Sequence, residues 1–365
     1  MQSFDTVYLN TAACGLVSPK ATAAGMHLYT QFAADSSVYA EQWKAEEENK
    51  IRDTLSAFLE APAESIAMIP NFSFGMNCVV QSLKGTEKVL LYRQDYPSLT
   101  EPFIINHFDI TWIDAADDGF TINMETLAGL IAEKAIDLVA ISHVQWLSGF
   151  KMDLEKLAAV CRKYDVILLI DGTQSLGAMP IRMAGSGIDV FIASNYKWMN
   201  AGFGTGIMYL TETFLKKYPP VVGGNNSYRM QAGKWMYAPS VHSYEPGHLN
   251  MFGFNVLAVA VRDKLGKGLD SIGQHNMQLT EYLLDSLDAS TTTLIGPPSL
   301  ENRSSIIFLQ DKNGLGDWLR QHRIIVTHRN GNLRISMHYY NTQADIDALI
   351  QCIRMLPGSG RQKEK

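Results

Sequence analysis

The sequence of 365 residues contains few cysteines, and none of them lies close to another. They stand at Cys14, Cys78, Cys161 and Cys352. This spacing forms neither a CxxC pair nor the dense pattern of a disulfide-stabilised secreted domain. His322, His328 and His338 also lack the HxxxH or CxxC frame of a zinc site. The sequence therefore predicts a protein of a reducing compartment without a metal centre.

Long blocks of one charge and long apolar runs are missing as well. The 31 basic and 37 acidic side chains leave a formal charge of −6, which offers no electrostatic footprint for nucleic acid or anionic lipid. The uncharged stretch 65–83 is the best candidate for a membrane span, but it contains a proline and several polar residues that would be costly in a bilayer. The first ten residues carry an acid and do not resemble a secretory signal. We expect a cytoplasmic protein that binds a small molecule, with no nucleic-acid or membrane partner.

Two common catalytic motifs are absent. No GxSxG elbow of a serine hydrolase follows any predicted strand. Gly202, Gly204 and Gly206 form a GxGxG cluster that leads into a strand, whereas a dinucleotide fingerprint follows a strand and opens a helix. The glycine cluster therefore argues against NAD as the ligand.

What is present is the pattern of a layered α/β protein. Short apolar runs alternate with segments of helical period between about residues 66 and 210. The predicted strands are 66–69, 88–92, 109–113, 137–142, 166–170, 189–193 and 206–210. Ser18 and Pro19 mark a helix start. The segment 211–250 comes after the last of these strands and is rich in Gly, Pro, Asn, Tyr and His. We expect it to be a long structureless stretch that serves a site.

Beyond this segment the sequence predicts a smaller α/β domain. Its helices are expected near 252–266, 269–287, 315–322 and 342–356, and its strands at 304–309, 324–327 and 333–336. The predicted division is a large domain over 16–250, a small C-terminal domain over 251–357 and a flexible tail over 358–365.

Two polar residues follow neighbouring buried strands. Asp171 ends the strand VILLID, and the carboxyl ends of parallel strands face the crevice where α/β ligands bind. Lys197 follows the next strand between Tyr196 and Trp198, so its amine is expected to be desolvated and suited to forming an imine with an aldehyde. A structural cap for the turn and a lysine that extends to solvent are the alternatives.

Three further residues are candidates for binding. Ser73 lies where a strand turns into a helix, which predicts a phosphate cradle or an ordinary N-cap. Tyr96 follows the second strand, where it would stack on a planar ring or serve packing. Arg334 lies inside an apolar strand and needs an anion, either a substrate carboxylate or an internal Asp or Glu.

Taken together, eight segments resemble the class-V aminotransferase superfamily of pyridoxal-phosphate enzymes with fold type I. This superfamily includes cysteine desulfurases, selenocysteine lyases and isopenicillin N epimerase-like proteins. The segments, in the family's order, are VYLNTAACGLVSP, PNFSFGMN, DYPSLTEP, SHVQWLSGF, DGTQSLGAMPI, SNYKWMNAGFGTG, YEPGHLN and LRISMHYYNT. The resemblance covers nearly the whole chain. It implies a three-layer large domain with a mostly parallel seven-stranded sheet, and a smaller C-terminal α/β domain.

The resemblance implies roles for named residues. Lys197 forms the imine with pyridoxal phosphate, and Asp171 keeps the ring nitrogen protonated so that the ring can draw electrons from the substrate. Gln174 is similar to the family's partner for the ring hydroxyl, and Ser73 and Ser194 would bind the phosphate. The complete implied cofactor site is Phe72, Ser73, Tyr96, Trp146, Asp171, Gln174, Ser194, Tyr196, Lys197 and His248.

The substrate site and the partner follow from the same resemblance. Arg334 would bind the carboxylate of an amino acid, and Asn10 lies in a segment, 1–15, that would line the active site. His248 occupies the position of a Thr that reaches the phosphate of the neighbouring subunit in relatives, which implies a homodimer with active sites at the subunit interface.

Departures from the family bear on the reaction. Tyr196 replaces a His and Trp146 replaces an Asn, and both changes favour the epimerase-like branch. The segment HRIIVTHRNG lacks the cysteine that takes sulfur from substrate, so persulfide-forming desulfurase activity is disfavoured, and Cys352 is expected in the core. The expected activity is aminotransferase-like, with epimerisation or cysteine/selenocysteine lyase-type elimination as alternatives. A cofactor-binding scaffold or sensor without turnover is the non-enzymatic alternative.

Overall fold

A computed structural model describes residues 6–225, 227–238, 240–297 and 299–357. The predicted tail 358–365 and the first five residues of the predicted N-terminal segment lie outside this range. The strands are β1 (Val7–Tyr8), β2 (Ile66–Ile69), β3 (Lys88–Tyr92), β4 (Asp109–Ile113), β5 (Leu138–Ser142), β6 (Ile167–Asp171), β7 (Val190–Ser194), β8 (Gly206–Leu210), β9 (Tyr228–Gln231), β10 (Lys234–Tyr237), β11 (Leu294–Ile295), β12 (Ile306–Gln310), β13 (Ile324–Ile325), β14 (Thr327–Arg329) and β15 (Asn332–Ser336). The helices are α1 (Pro19–Leu59), α2 (Phe72–Ser82), α3 (Pro97–Ile105), α4 (Met124–Lys134), α5 (Leu154–Lys163), α6 (Glu212–Lys217), α7 (Met251–Lys267), α8 (Leu269–Ser286), α9 (Leu315–Gln321) and α10 (Gln343–Arg354).

Seven strands form the large sheet in the order β2-β8-β7-β6-β5-β3-β4. Strand β8 is antiparallel to both of its neighbours, and the other neighbouring strands run parallel. The prediction of a mostly parallel seven-stranded sheet is therefore confirmed. The seven strands predicted between residues 66 and 210 agree with the observed bounds to within one residue, because apolar runs buried on both faces are recognisable from consecutive residues.

Helices cover both faces of this sheet. Leu168 of β6 packs into a core that includes Leu55 of α1 and Leu157 of α5. The next residue, Leu169, packs into a separate core that includes Val79 of α2. Since successive strand residues point to opposite faces, the two cores define the three layers that were expected.

The segment 211–250 is not structureless, so that prediction is wrong. It contains α6, whose N-terminus is capped by Thr211, and the antiparallel hairpin β9–β10. Ala232 and Gly233 both have positive φ at the hairpin turn, the backbone that a tight two-residue turn needs. Glu245, near the end of this segment, accepts hydrogen bonds from the buried Arg52 of α1 at both carboxylate oxygens, each at 2.9 Å.

The C-terminal part has its own sheet, in the order β11-β12-β15-β14, and its own core. Cys352 is buried in that core, as predicted. Strand β1 pairs in parallel with β13, and Asn10 bridges to Ser336, so the N-terminal segment joins this sheet region. The exact domain boundaries stay predictions. None of the helices that the structure describes is both long and apolar enough to cross a membrane.

Candidate active site

A cavity of about 450 Å³ opens where β5, β6 and β7 end and α2 begins. It lies at the carboxyl ends of parallel strands, where α/β folds bind their ligands. Its lining is Asn71, Phe72, Ser73, Tyr96, Ser142, Trp146, Asp171, Thr173, Gln174, Ser194, Tyr196, Lys197, Phe203 and Gly204. Every residue of the predicted cofactor site except His248 therefore lies around one cavity.

Lys197 lies three residues after the end of β7, and the residue is 7% exposed. The Nζ atom lies 5.5 Å from the ring centroids of both Tyr96 and Tyr196, and it makes no hydrogen bond to the part of the chain that is described. Burial and, to a lesser extent, the charge of Arg334 lower the pKa of Lys197 to about 8, although Asp171 acts in the opposite direction. Lys197 therefore does not extend to solvent, and its amine loses its proton at a lower pH than an exposed lysine does.

Asp171 is the last residue of β6, and it is buried beside Ser142 in the register of β5 and β6. One carboxylate oxygen accepts the backbone N–H of Thr173 at 2.8 Å. Burial raises the pKa of Asp171 to about 6, even though the hydrogen bonds from Thr173 act to lower it. A carboxylate held in this way favours a cationic partner such as a protonated ring nitrogen.

A second buried carboxylate, Asp95, organises the neighbouring wall. It accepts the backbone N–H and the hydroxyl of Ser142 at 2.8 and 2.5 Å, and the backbone N–H of Tyr96 at 2.7 Å. Tyr96 in turn meets the Trp146 ring edge to face at 5.5 Å. Asp95 therefore fixes an aromatic side chain that faces the Lys197 amine.

The N-terminus of α2 forms another part of the cavity wall, and it offers N–H donors where Asp95 and Asp171 offer carboxylates. Asn71, rather than Ser73, is the N-cap, and its side chain accepts the N–H of Phe74 at 2.9 Å. The hydroxyl of Ser194 accepts the N–H of Phe72 at 2.9 Å. Ser73 lies in the first turn and lines the cavity, where backbone N–H groups and the helix dipole favour an anion.

Arg334 on β15 is buried without an internal ion pair. Its guanidinium donates to the carbonyl of Trp146 at 2.7 Å and to the Thr327 hydroxyl at 3.5 Å, and no carboxylate in the described ranges binds it. Burial lowers the pKa of Arg334 to about 10. Within the described residues no internal Asp or Glu fills this role, so the buried charge is left for an anion such as a bound carboxylate.

Three predicted site residues, Arg334, Asn10 and His248, are not part of the cavity lining. Asn10 accepts a hydrogen bond from the hydroxyl of Thr327, and the same hydroxyl also accepts from Arg334. His248 lines an adjoining cavity of about 370 Å³ that shares Gly204 with the first. Its role toward a neighbouring subunit stays a prediction.

Five residues around the cavity are absent from the sequence-based prediction of the site: Asn71, Ser142, Thr173, Phe203 and Gly204. The rule that ligands lie at strand ends would have found Ser142 and Thr173. Phe203 gives no such signal, because its ring reaches the cavity by stacking on Tyr196 at 4.7 Å. Gly202 and Gly204 on either side of it have positive φ, which explains the glycine cluster as a sharp local turn.

These residues fit pyridoxal phosphate. Lys197 offers an amine of lowered pKa to the aldehyde, Asp171 offers a carboxylate to the ring nitrogen, and the N-terminus of α2 offers N–H donors to the phosphate. Tyr96 supplies an aromatic surface near the amine. Fold and cavity together define an enzyme of fold type I that uses pyridoxal phosphate.

Comparison with known proteins assigns the family. Residues 7–349 match the family model "Aminotransferase class-V", and the chain belongs to this family. Enzymes of this family use pyridoxal phosphate, so the cofactor prediction is confirmed. A cysteine desulfurase of Salmonella dublin is 26% identical over 333 residues, which cover 82% of this chain and 80% of the relative.

Solved structures share the fold. The apo cysteine desulfurase of Thermococcus onnurineus NA1 aligns with a TM-score of 0.87 at 20% identity, over 97% of this chain and 95% of that chain. The cystine C–S lyase C-DES, in complex with its reaction product cysteine persulfide, aligns with a TM-score of 0.85 at 20% identity, over 97% and 98% of the two chains.

Proposed function

We propose that the protein is a pyridoxal-phosphate-dependent lyase that cleaves the carbon–sulfur bond of a small amino acid such as cysteine or cystine. The observation that carries the proposal is that Lys197 and Asp171 share one cavity, with the unpaired charge of Arg334 beside it. The lyase direction is supported by the relatives, which are named cysteine desulfurases and a cystine C–S lyase. Transamination and epimerisation, favoured by sequence alone, find no comparable support in these names.

Each side chain has a separate task in this proposal. Arg334 binds the substrate carboxylate and so orients the Cα–H bond toward the Lys197 amine. Neutral Lys197 accepts the Cα proton at Nζ, which its lowered pKa permits. Asp171 holds the proton of the ring nitrogen, and the bound cofactor supplies an electron sink for the substrate.

The fate of the sulfur follows from the positions of the cysteines. None of the four lines the cavity, and Cys78, Cys161 and Cys352 are buried in the hydrophobic cores. Cys14 is only partly buried, but burial raises the pKa of its thiol, so the nucleophilic thiolate is disfavoured at neutral pH. We therefore infer that sulfur leaves in a soluble product and not as a persulfide on the enzyme.

The first experiment adds pyridoxal phosphate to the purified chain and to Lys197→Ala, with Lys151→Ala as a matched control. We expect a visible absorbance band for the native chain and the control, and its loss in Lys197→Ala. A band that persists in Lys197→Ala would contradict the role of this residue.

The second experiment follows L-cysteine and L-cystine with the cofactor-loaded enzyme. Pyruvate, ammonia and a soluble sulfide or persulfide are expected in equal amounts. Alanine together with sulfur on the enzyme would indicate desulfuration, the D-isomer would indicate epimerisation, and a keto acid formed only with an acceptor keto acid would indicate transamination. Binding without turnover across a broad panel of amino acids would leave the scaffold alternative.

A further inference from the structure

A cluster of buried polar side chains lies directly behind the Lys197 loop, and no step of the proposed reaction uses it. Lys264 of α7 and His338, which follows β15, are both 0% exposed. The Nζ atom of Lys264 lies 2.8 Å from Oδ1 of Asn200 and 3.0 Å from Nε2 of His338. The same Nε2 lies 2.9 Å from the carbonyl oxygen of Trp198. We call Lys264, His338 and Asn200 the buried clamp.

The hydrogen bonds define the protonation of the clamp. The amide nitrogen of Asn276 faces Nδ1 of His338 at 3.3 Å, and an amide N–H can only donate. Nδ1 is therefore the acceptor and Nε2 carries the proton, which faces the carbonyl of Trp198 at 2.9 Å and Oδ1 of Asn200 at 3.0 Å. Burial lowers the pKa of His338 and that of Lys264 well below their ordinary values.

The surroundings of Lys264 contain little that would favour a charge. Asp263 raises its pKa and Lys267 lowers it, while the Tyr339 ring lies 4.4 Å from Nζ. A neutral amine can donate to Oδ1 of Asn200, whereas the single Nε2 proton of His338 is directed at the other acceptors and not at Lys264. A buried amine without an ion pair is costly, and an apolar residue of similar length would serve packing better. Its retention in the core therefore needs another explanation.

The clamp joins the two segments that carry the proposed chemistry. Trp198 and Asn200 immediately follow Lys197, and His338 lies shortly after Arg334 on the same stretch of chain. We propose that His338 and Lys264 are positioning residues that hold the 198–200 turn against the Arg334 strand, and thereby set the Lys197 amine relative to the substrate carboxylate. The inference rests on the proposed function for the roles of Lys197 and Arg334.

The test exploits the two nitrogens of histidine. Gln places a donor near the position of Nε2, whereas Asn places one near Nδ1, so His338→Gln retains the bond to the Trp198 carbonyl and His338→Asn does not. Lys264→Met removes the amine and keeps an apolar chain of similar length. Leu349→Ala, in the C-terminal core, is the control for general loss of stability.

The measurement is the pH dependence of acetylation of Lys197 in the cofactor-free chain, read by mass spectrometry together with the melting temperature. We expect the pH midpoint of Lys197 acetylation to stay near the native value in His338→Gln and Leu349→Ala. In His338→Asn and Lys264→Met it should rise by about one pH unit, because a released turn admits water and moves the amine away from Arg334. Asp171, Cys14, Tyr96 and Tyr196 also face this amine and are the same in all variants.

Equal midpoints in His338→Gln and His338→Asn would overturn the proposal. The proposal would also fail if His338→Asn and Lys264→Met kept the native midpoint of Lys197 acetylation while their melting temperatures fell as in Leu349→Ala. Should His338→Asn fail to fold, Lys264→Met alone decides. The labelling needs neither cofactor nor turnover, so a shifted midpoint with no lyase product would refute the proposed function and leave the clamp standing.

Discussion

Trp198 donates its indole N–H to Oε1 of Gln174 at 2.7 Å, inside the protein and next to Lys197 in the chain. The same amide donates from Nε2 to the carbonyl of Ala12 at 3.1 Å. Gln174 thus ties the N-terminal segment and the Lys197 loop to the turn that follows Asp171. The resemblance to the family implies a bond from Gln174 to the ring hydroxyl, and the structure shows that this side chain also has an architectural task.

Replacement of Gln174 by Leu should lower the free energy of unfolding by ~2–4 kcal/mol. The reason is that the buried indole N–H of Trp198 and the carbonyl of Ala12 both lose their partner. Urea denaturation of the cofactor-free chain measures the change. Gln81→Leu, on the exposed face of α2, is the control and should change stability little. A loss in Gln174→Leu no larger than in the control would contradict this account.

The free energy of unfolding of the cofactor-free chain should depend on pH because of Asp171. Its pKa is 3.8 in the unfolded chain and about 6 in the folded chain, because burial disfavours the carboxylate. Relative to Asp171→Asn, the native chain is therefore most favoured below pH 4 and loses up to about 3 kcal/mol as the pH rises through 6. Urea denaturation from pH 3.5 to about 7.5 tests this window. Exposed Asp117→Asn should show no such difference, and a native chain that gains stability across the window would refute the sign.

Arg334→Met should raise the KM of L-cysteine about 10- to 100-fold, because a charge-assisted bond to the carboxylate is lost. Cysteamine, which lacks the carboxylate, should bind equally well to both enzymes. The pKa of Lys197 should rise, since the charge of Arg334 helps to lower it. Exposed Arg329→Met on the adjacent strand β14 is the matched control. Equal losses for cysteine and cysteamine would exclude carboxylate recognition by Arg334.

Cys14→Ser should leave the release of sulfide and pyruvate unchanged, because the thiol is held protonated by burial and does not line the cavity. Mass spectrometry of the native enzyme during turnover should find no added sulfur on this residue. A persulfide on Cys14, together with loss of activity in the Ser variant, would show that the enzyme carries sulfur after all.

Sequence alone predicts much of the site because the relevant signals are local. Buried runs such as VILLID and DVFIAS define strands, and the end of each run places Asp171 and Lys197 at the same edge of the sheet. The hairpin β9–β10 escapes prediction, since a turn such as Ala232–Gly233 depends on backbone conformation more than on composition. Asp95 escapes for a different reason, because its partner Ser142 belongs to another strand.

The amino-acid sequence by itself determined the α/β class, the strands of the large sheet, the cofactor and the family, since periodicity and motif order are written in consecutive residues. Only the tertiary structure decided that Arg334 has no carboxylate partner among the described residues, that His248 lies in an adjoining cavity and that Nε2 of His338 meets the Trp198 carbonyl. These relationships join residues far apart in the chain. Burial, hydrogen-bond geometry and the charge left unpaired exist only after the chain has folded.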